Sequence, residues 1–168
     1  VDLTEFNEEL NPYEPILMAE APRRGMQIEY HRISIPDGEV PSRQGMRTCL
    51  EVIEEEGLLE NCRTRGEQLL RGLQGVAERS DLVAEARGRG LMIGVEMAMD
   101  EVGELVVAQM LKRDVCVAYT LNNPRVLRFE PPLTINADQV DHAVATFEEA
   151  VAELEQQVQL LESGELPL

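Results

Sequence analysis

The stretch from Asn136 to Leu161 constrains this chain most. Asn136 stands where a helix N-cap belongs, and Gln139 follows three positions on, the spacing of a capping box. Behind it Val140, Val144, Phe147, Val151, Leu154, Val158 and Leu161 recur by four and by three. A helix that long, with one apolar stripe, needs a large apolar partner to bury it. The repeat also suits a coiled-coil dimer. A long helix lying on a sheet shows the same stripe, and the sheet is the expectation here.

Strand patterns upstream supply that partner. In "LMIGVEM", Leu91, Ile93, Val95 and Met97 line one face. "RVLRFE" alternates likewise, turning Leu127 and Phe129 inward and Val126, Arg128 and Glu130 outward. "VCVAYT" is apolar on both faces, which predicts a central strand. Ser42 is a good N-cap for a helix through Glu56, with Met46, Cys49, Leu50 and Ile53 as its stripe. Gly57 interrupts, and Cys62, Gly66, Leu69, Leu73 and Val76 mark a second helix from Leu58 to Arg79. Gly66 on the inner face predicts close approach of another backbone. A short helix covers Val102 to Arg113. Residues 1–41 are rich in turn formers around one strand, "MQIEYHRISI", and Val1 to Thr4 reads as the tail of a strand begun further upstream. The fold class expected is α/β (α+β). Three or four mostly antiparallel strands between residues 82 and 130 form a two-layer sandwich with helices at 43–79, 102–113 and 136–161.

Composition narrows the partners. The formal charge of -17 argues against nucleic acid and anionic membrane surfaces, which call for a basic footprint. Tryptophan is absent and Tyr and Phe number three each, so the core must be aliphatic. No apolar run approaches the ~20 residues of a membrane span, and a cytoplasmic chain is the default. Cys49, Cys62 and Cys116 read as buried thiols in a reducing compartment. Without a CxxC, and with His31 and His142 far from every cysteine in sequence, no zinc site is expected.

Three features bear on chemistry. Gly88, Gly90 and Gly94 suggest a phosphate loop, but the element after them is a strand, whereas an anion cradle must open a helix. They read instead as a tight turn and a close contact in the sheet. Arg128 precedes Glu130-Pro131-Pro132, where a rigid turn would still the strand end. Its guanidinium suits bidentate capture of a carboxylate, and the plainer reading is a surface arginine beside Glu130. Asp37, between Pro36 and Gly38, is either a general acid or a turn aspartate.

Residues 48–161 resemble the C-terminal small domain of class III pyridoxal-phosphate aminotransferases, of the ornithine, acetylornithine and putrescine type. The matching stretches are "LEVIEEEGLLENCRTRG", "LLRGL", "LVAEARGRGLMIGVEM", "VLRFEPPLTI" and "DQVDHAVATFEEAV". The resemblance implies amino-group transfer in the parent enzyme, with Arg128 binding the substrate carboxylate. It also implies that the cofactor lysine and phosphate cup lie on a large domain upstream. The chain's single lysine, Lys112, matches no family motif. The chain alone is therefore expected to bind no cofactor and to be non-catalytic, acting as a docking or oligomerisation module toward a second copy or a missing large domain.

Residues 1–47 resemble the first half of bacterial dual-specificity protein phosphatases in "VDLTE", "ELNPYEPIL", "IEYHRISIPDGEVPS" and "RQGM". That resemblance implies that Asp37 is the general acid. The family's cysteine is followed six positions on by arginine, but here Cys49 leads to Glu55, Cys62 to Gln68 and Cys116 to Asn122. The acid would be orphaned. The organisation expected is a phosphatase-like segment 1–47, an aminotransferase-like domain 48–162 and a tail 163–168.

Overall fold

A computed structural model describes residues 14–25, 42–120 and 122–163. The strand expected in "MQIEYHRISI" and the tail at Val1 to Thr4 lie outside the described residues. The chain divides into two compact units, Val1–Glu56 and Gly57–Leu168.

In the first unit, α1 spans Glu14–Arg23 and α2 spans Arg43–Glu55. Ser42 caps α2 as expected, its hydroxyl accepting from the Gly45 N–H at 3.0 Å. Although α2 carries an apolar stripe, none of its residues is buried.

The second unit begins at Gly57, whose φ of +61° lies in the left-handed region that glycine enters at no steric cost. It contains α3 (Leu58–Ala77), β1 (Val83–Arg89), β2 (Met92–Met97), α4 (Asp100–Leu111), β3 (Ala118–Tyr119), β4 (Val126–Phe129) and α5 (Ala137–Glu162). The strands form one antiparallel sheet in the order β1-β2-β4-β3. The chain leaves β2 through α4, pairs at the far edge as β3, and turns back to place β4 between them. This is a split β-α-β arrangement.

Alternation decides which face of the sheet is inner. Ile93, Val95 and Met97 of β2 and Leu127 and Phe129 of β4 are buried in one cluster. Leu69, Leu73 and Val76 of α3 and Val102, Val106 and Met110 of α4 belong to the same cluster. The stripe of α5 completes it with Val140, Phe147, Val151 and Leu154. Phe147 meets Phe129 edge-on, ring centroids 5.6 Å apart at 88°. Such a pair is worth about 0.5–1.5 kcal/mol beyond the area it buries. The long helix thus lies against the sheet layer, and the two-layer α/β class holds. Its capping box forms in both directions: the Gln139 N–H donates to Asn136 Oδ1 at 2.9 Å and the Asn136 N–H to Gln139 Oε1 at 3.0 Å.

Gly66 does what its place in the stripe requires. A Cβ there would stand 2.3 Å from the carbonyl carbon and oxygen of Gly90, so α3 and the β1–β2 turn touch backbone to backbone. Gly90 itself has φ +56°, at the first of the two residues joining β1 and β2. The glycines of "RGRGLMIG" are therefore turn and packing residues.

Two expectations are corrected. "VCVAYT" is not a central strand: only Ala118 and Tyr119 pair, at the sheet edge, and both are exposed. The chain first has to leave α4 through Asp114, whose φ is +61°, and Val115 and Val117 then pack inward while Cys116 faces out. Apolar residues there serve one face and a connection. Nor are the cysteines buried: Cys49 and Cys62 are half-buried and Cys116 is exposed. The periodicity placed Cys62 correctly at the margin of the core, where its Sγ lies against Gly90, but it did not tell margin from interior.

Candidate functional site

Arg128 is set by its register. It faces away from the core, opposite Gly94 on β2 and Ala118 on β3. Gly94 in turn faces Arg87 on β1, so one row across the sheet reads Arg87, Gly94, Arg128, Ala118. Directly paired residues share a face. A glycine and an alanine on either side leave the Arg128 guanidinium room that larger side chains would occupy.

The two arginines of this row are held differently. Arg87 donates to Glu85 at 2.7 Å and to Glu96 at 2.9 Å. Those hydrogen bonds, first the one accepted by Glu96 and then the one accepted by Glu85, raise its pKa above the usual arginine value. Arg128 has one carboxylate in reach among the described residues, Glu130, at 3.8 Å. Both side chains of that pair are nearly half exposed, so water screens it and it contributes little.

Beside Arg128 opens a cleft of about 530 Å³, within the range of small-molecule sites. Arg128 and Glu130 stand on it with Cys116 and His142, and Phe129 and Ile135 supply apolar wall. Pro131 and Pro132 follow at once, bringing no N–H donors and a fixed φ, so the chain leaves the sheet stiffly. The loop closes with the Ile135 N–H donating to the Pro132 carbonyl at 3.0 Å. A planar guanidinium at the mouth of a partly apolar cleft can take a carboxylate through two parallel N–H donors. Low-dielectric wall on one side strengthens that contact.

Sequence reasoning found Arg128 but not its neighbours. His142 on α5 and Cys116 before β3 converge on the cleft only through the fold. Asp114, also at the cleft, had a local signal that went unread: it follows α4 in the left-handed conformation usual for a closing glycine, and the Val115 N–H reaches back to the Met110 carbonyl at 3.0 Å. Asp37 lies outside the described residues. Among those residues, no group of three or more His, Cys, Asp and Glu could hold a metal ion, and no helix is long and apolar enough to cross a membrane.

Comparison with known proteins places this geometry. The family described as Aminotransferase class-III matches residues 45–151, well over half of the chain. The chain belongs to that family. Lysine aminotransferase from M. tuberculosis, in its internal aldimine form, is 29% identical with a TM-score of 0.59 over 70% of this chain and 28% of its own. An amine transaminase from an uncultivated Pseudomonas species, in its PLP-bound form, is 28% identical with a TM-score of 0.58, over 65% of this chain and 26% of its own. A phospholyase from Arthrobacter in complex with phosphoethanolamine, at 22% identity, shares the fold with a TM-score of 0.61 over 64% of this chain and 28% of its own. This class III chain thus spans little more than a quarter of the length of these relatives. The match begins at residue 45 and so takes in the end of the segment 1–47 expected to resemble a phosphatase, a resemblance that the comparisons do not support.

Pyridoxal phosphate is the cofactor that the family implies, and it calls for a lysine amine at the reacting centre. Lys112 is the chain's only lysine, exposed at the C-cap of α4 and not among the cleft residues. The described residues therefore do not fit attachment of that cofactor at the cleft.

Proposed function

We propose that residues 48–162 are the C-terminal small domain of a pyridoxal-phosphate-dependent aminotransferase, in which Arg128 receives the substrate carboxylate. The observation that carries this reading is the seat of Arg128 itself. It is on an inner strand, turned away from the core, between side chains no larger than a methyl, and at a cleft stiffened by Pro131 and Pro132. The residues of this chain bind and orient. Arg128 fixes the carboxylate end, and Phe129 and Ile135 exclude water from one side of it. Glu130 is a weak competitor for the same guanidinium. Amino-group transfer belongs to the whole protein, with the cofactor lysine supplied by a large domain.

The chain alone is accordingly non-catalytic, and its role is docking, to that large domain or to a second copy. Adding pyridoxal phosphate to the purified chain should give no imine absorbance band. A band abolished by Lys112→Ala would overturn this part of the reading. Light scattering across a concentration series should show self-association, and a strict monomer throughout contradicts docking to a second copy. For Arg128, a carboxylate probe such as propionate should shift the backbone amide signals of the cleft residues Cys116 and His142 in a nitrogen-15 spectrum, and the response should vanish in Arg128→Gln.

A further inference from the structure

We infer that Asn61 is a positioning residue for the cleft: its side-chain amide staples the loop that follows Arg128 to helix α3. This inference rests on the reading of Arg128 as the carboxylate receptor. The Asn61 Nδ2 donates to the Leu133 carbonyl at 2.6 Å and to the Ile135 carbonyl at 2.9 Å. Both acceptors are oxygens, so the contacts themselves fix which end of the amide faces them. One NH2 group thus uses both of its hydrogens on a single loop, more than seventy residues away in sequence.

The loop so held is the one that matters to Arg128. It leaves β4 at Glu130, passes through Pro131 and Pro132, and reaches Ile135 and the N-cap Asn136. Glu130, Pro131, Pro132 and Ile135 all line the cleft. The turn Pro132–Ile135 has one internal backbone bond, and Pro131 and Pro132 have no N–H to add another. Two things tie the loop to the body of the domain: the Ile135 side chain, buried in the core, and the Asn61 amide, which is its hydrogen-bonded tie to α3. Aspartate has no donor for two carbonyls, and leucine has neither donor nor acceptor, though both are close to asparagine in size.

Gln68 provides an internal control. Two turns further along α3, its Nε2 donates to the Ala137 carbonyl at 3.2 Å and to Asp141 Oδ1 at 2.5 Å. It ties the same helix to α5 and touches neither the loop nor the cleft. Losing it removes an α3 contact of similar kind without releasing the loop.

The experiment uses the whole chain with propionate as probe. Hydrogen exchange is followed at the Ile135 amide and binding at the backbone amides of the cleft residues Cys116 and His142. Asn61→Leu should speed Ile135 exchange roughly fivefold or more, the effect of losing a net hydrogen bond from a local opening equilibrium. Propionate affinity should fall by a comparable factor. Asn61→Asp, nearly unchanged in shape, should do the same, which keeps the inference testable where Asn61→Leu fails to fold. Gln68→Leu should leave both readouts alone while lowering the melting temperature. Unchanged Ile135 exchange in the Asn61 variants, or faster exchange with undiminished affinity, overturns the positioning role. A propionate response that survives Arg128→Gln sinks instead the reading of Arg128, and the exchange data then judge the staple by themselves.

Discussion

Arg87 and Arg128 occupy one row of the same sheet, separated by a glycine, and they do opposite work. Arg87 is committed. Two carboxylates within 2.9 Å occupy one of its terminal nitrogens and neutralise its charge, one from its own strand and one from across the sheet. Arg128 meets only Glu130 among the described residues, at 3.8 Å, and keeps its donors for something else. The lesson is that an arginine's availability is a property of its row, set by which neighbours are acidic and which are small. The β1 side spends its charge on holding strands together. The β4 side, stiffened by prolines and by Asn61, presents its charge to a cleft.

The comparison can be broken most severely through the seat of the β1–β2 turn. Gly66→Ala would drive a Cβ to 2.3 Å from the backbone of Gly90. Backbone cannot step aside as a flexible side chain can, so destabilisation of about 3 kcal/mol or more is expected, measured by urea unfolding. A loss under about 1 kcal/mol would mean that the contact is slack. Arg128→Gln comes next. It should cost about tenfold or more in carboxylate affinity, because a charge-assisted bidentate contact is lost, with little change in unfolding midpoint.

Arg87→Gln should do the reverse on a smaller scale. Stability should fall by about 1 kcal/mol at most, with carboxylate affinity unchanged. Salt should reveal it better than pH. The Arg87 pKa is raised, so its contribution is present below the unfolded value and lost only as pH climbs through the folded one. Arginine is protonated throughout the working range, so from neutral to mildly alkaline pH the difference between wild type and Arg87→Gln should be flat. It should shrink as ionic strength rises. The smallest effect belongs to another residue of the cleft. Asp114→Gly relieves a left-handed residue and should stabilise by a few tenths to about 1 kcal/mol in the same unfolding assay.

What was legible in the sequence was what neighbours in sequence decide. The capping box at Asn136, the Ser42 cap and the alternation of Leu127, Arg128 and Phe129 all rest on groups a few residues apart. Gly66 was legible as an approach because a glycine in an apolar stripe has few other uses, although its partner was not. The misreadings came where two elements share a job. "VCVAYT" is apolar because Val115 and Val117 finish the core on the way to a two-residue edge strand. Cys116 faces outward within that same run, and apolarity alone could not say so. Asn61 was invisible, since nothing in "LLENCRTRG" announces two carbonyls beyond a proline turn. The partners that separate Arg87 from Arg128 are partly cross-strand, and register is not written in one strand.

The central claim is that one guanidinium of the row is free to bind and the other is not. Titrating wild type, Arg87→Gln and Arg128→Gln with propionate under one set of conditions tests it directly. The account predicts matching curves for the first two and a collapsed response for the third. Equal losses in both variants, or retained binding in Arg128→Gln, would contradict it.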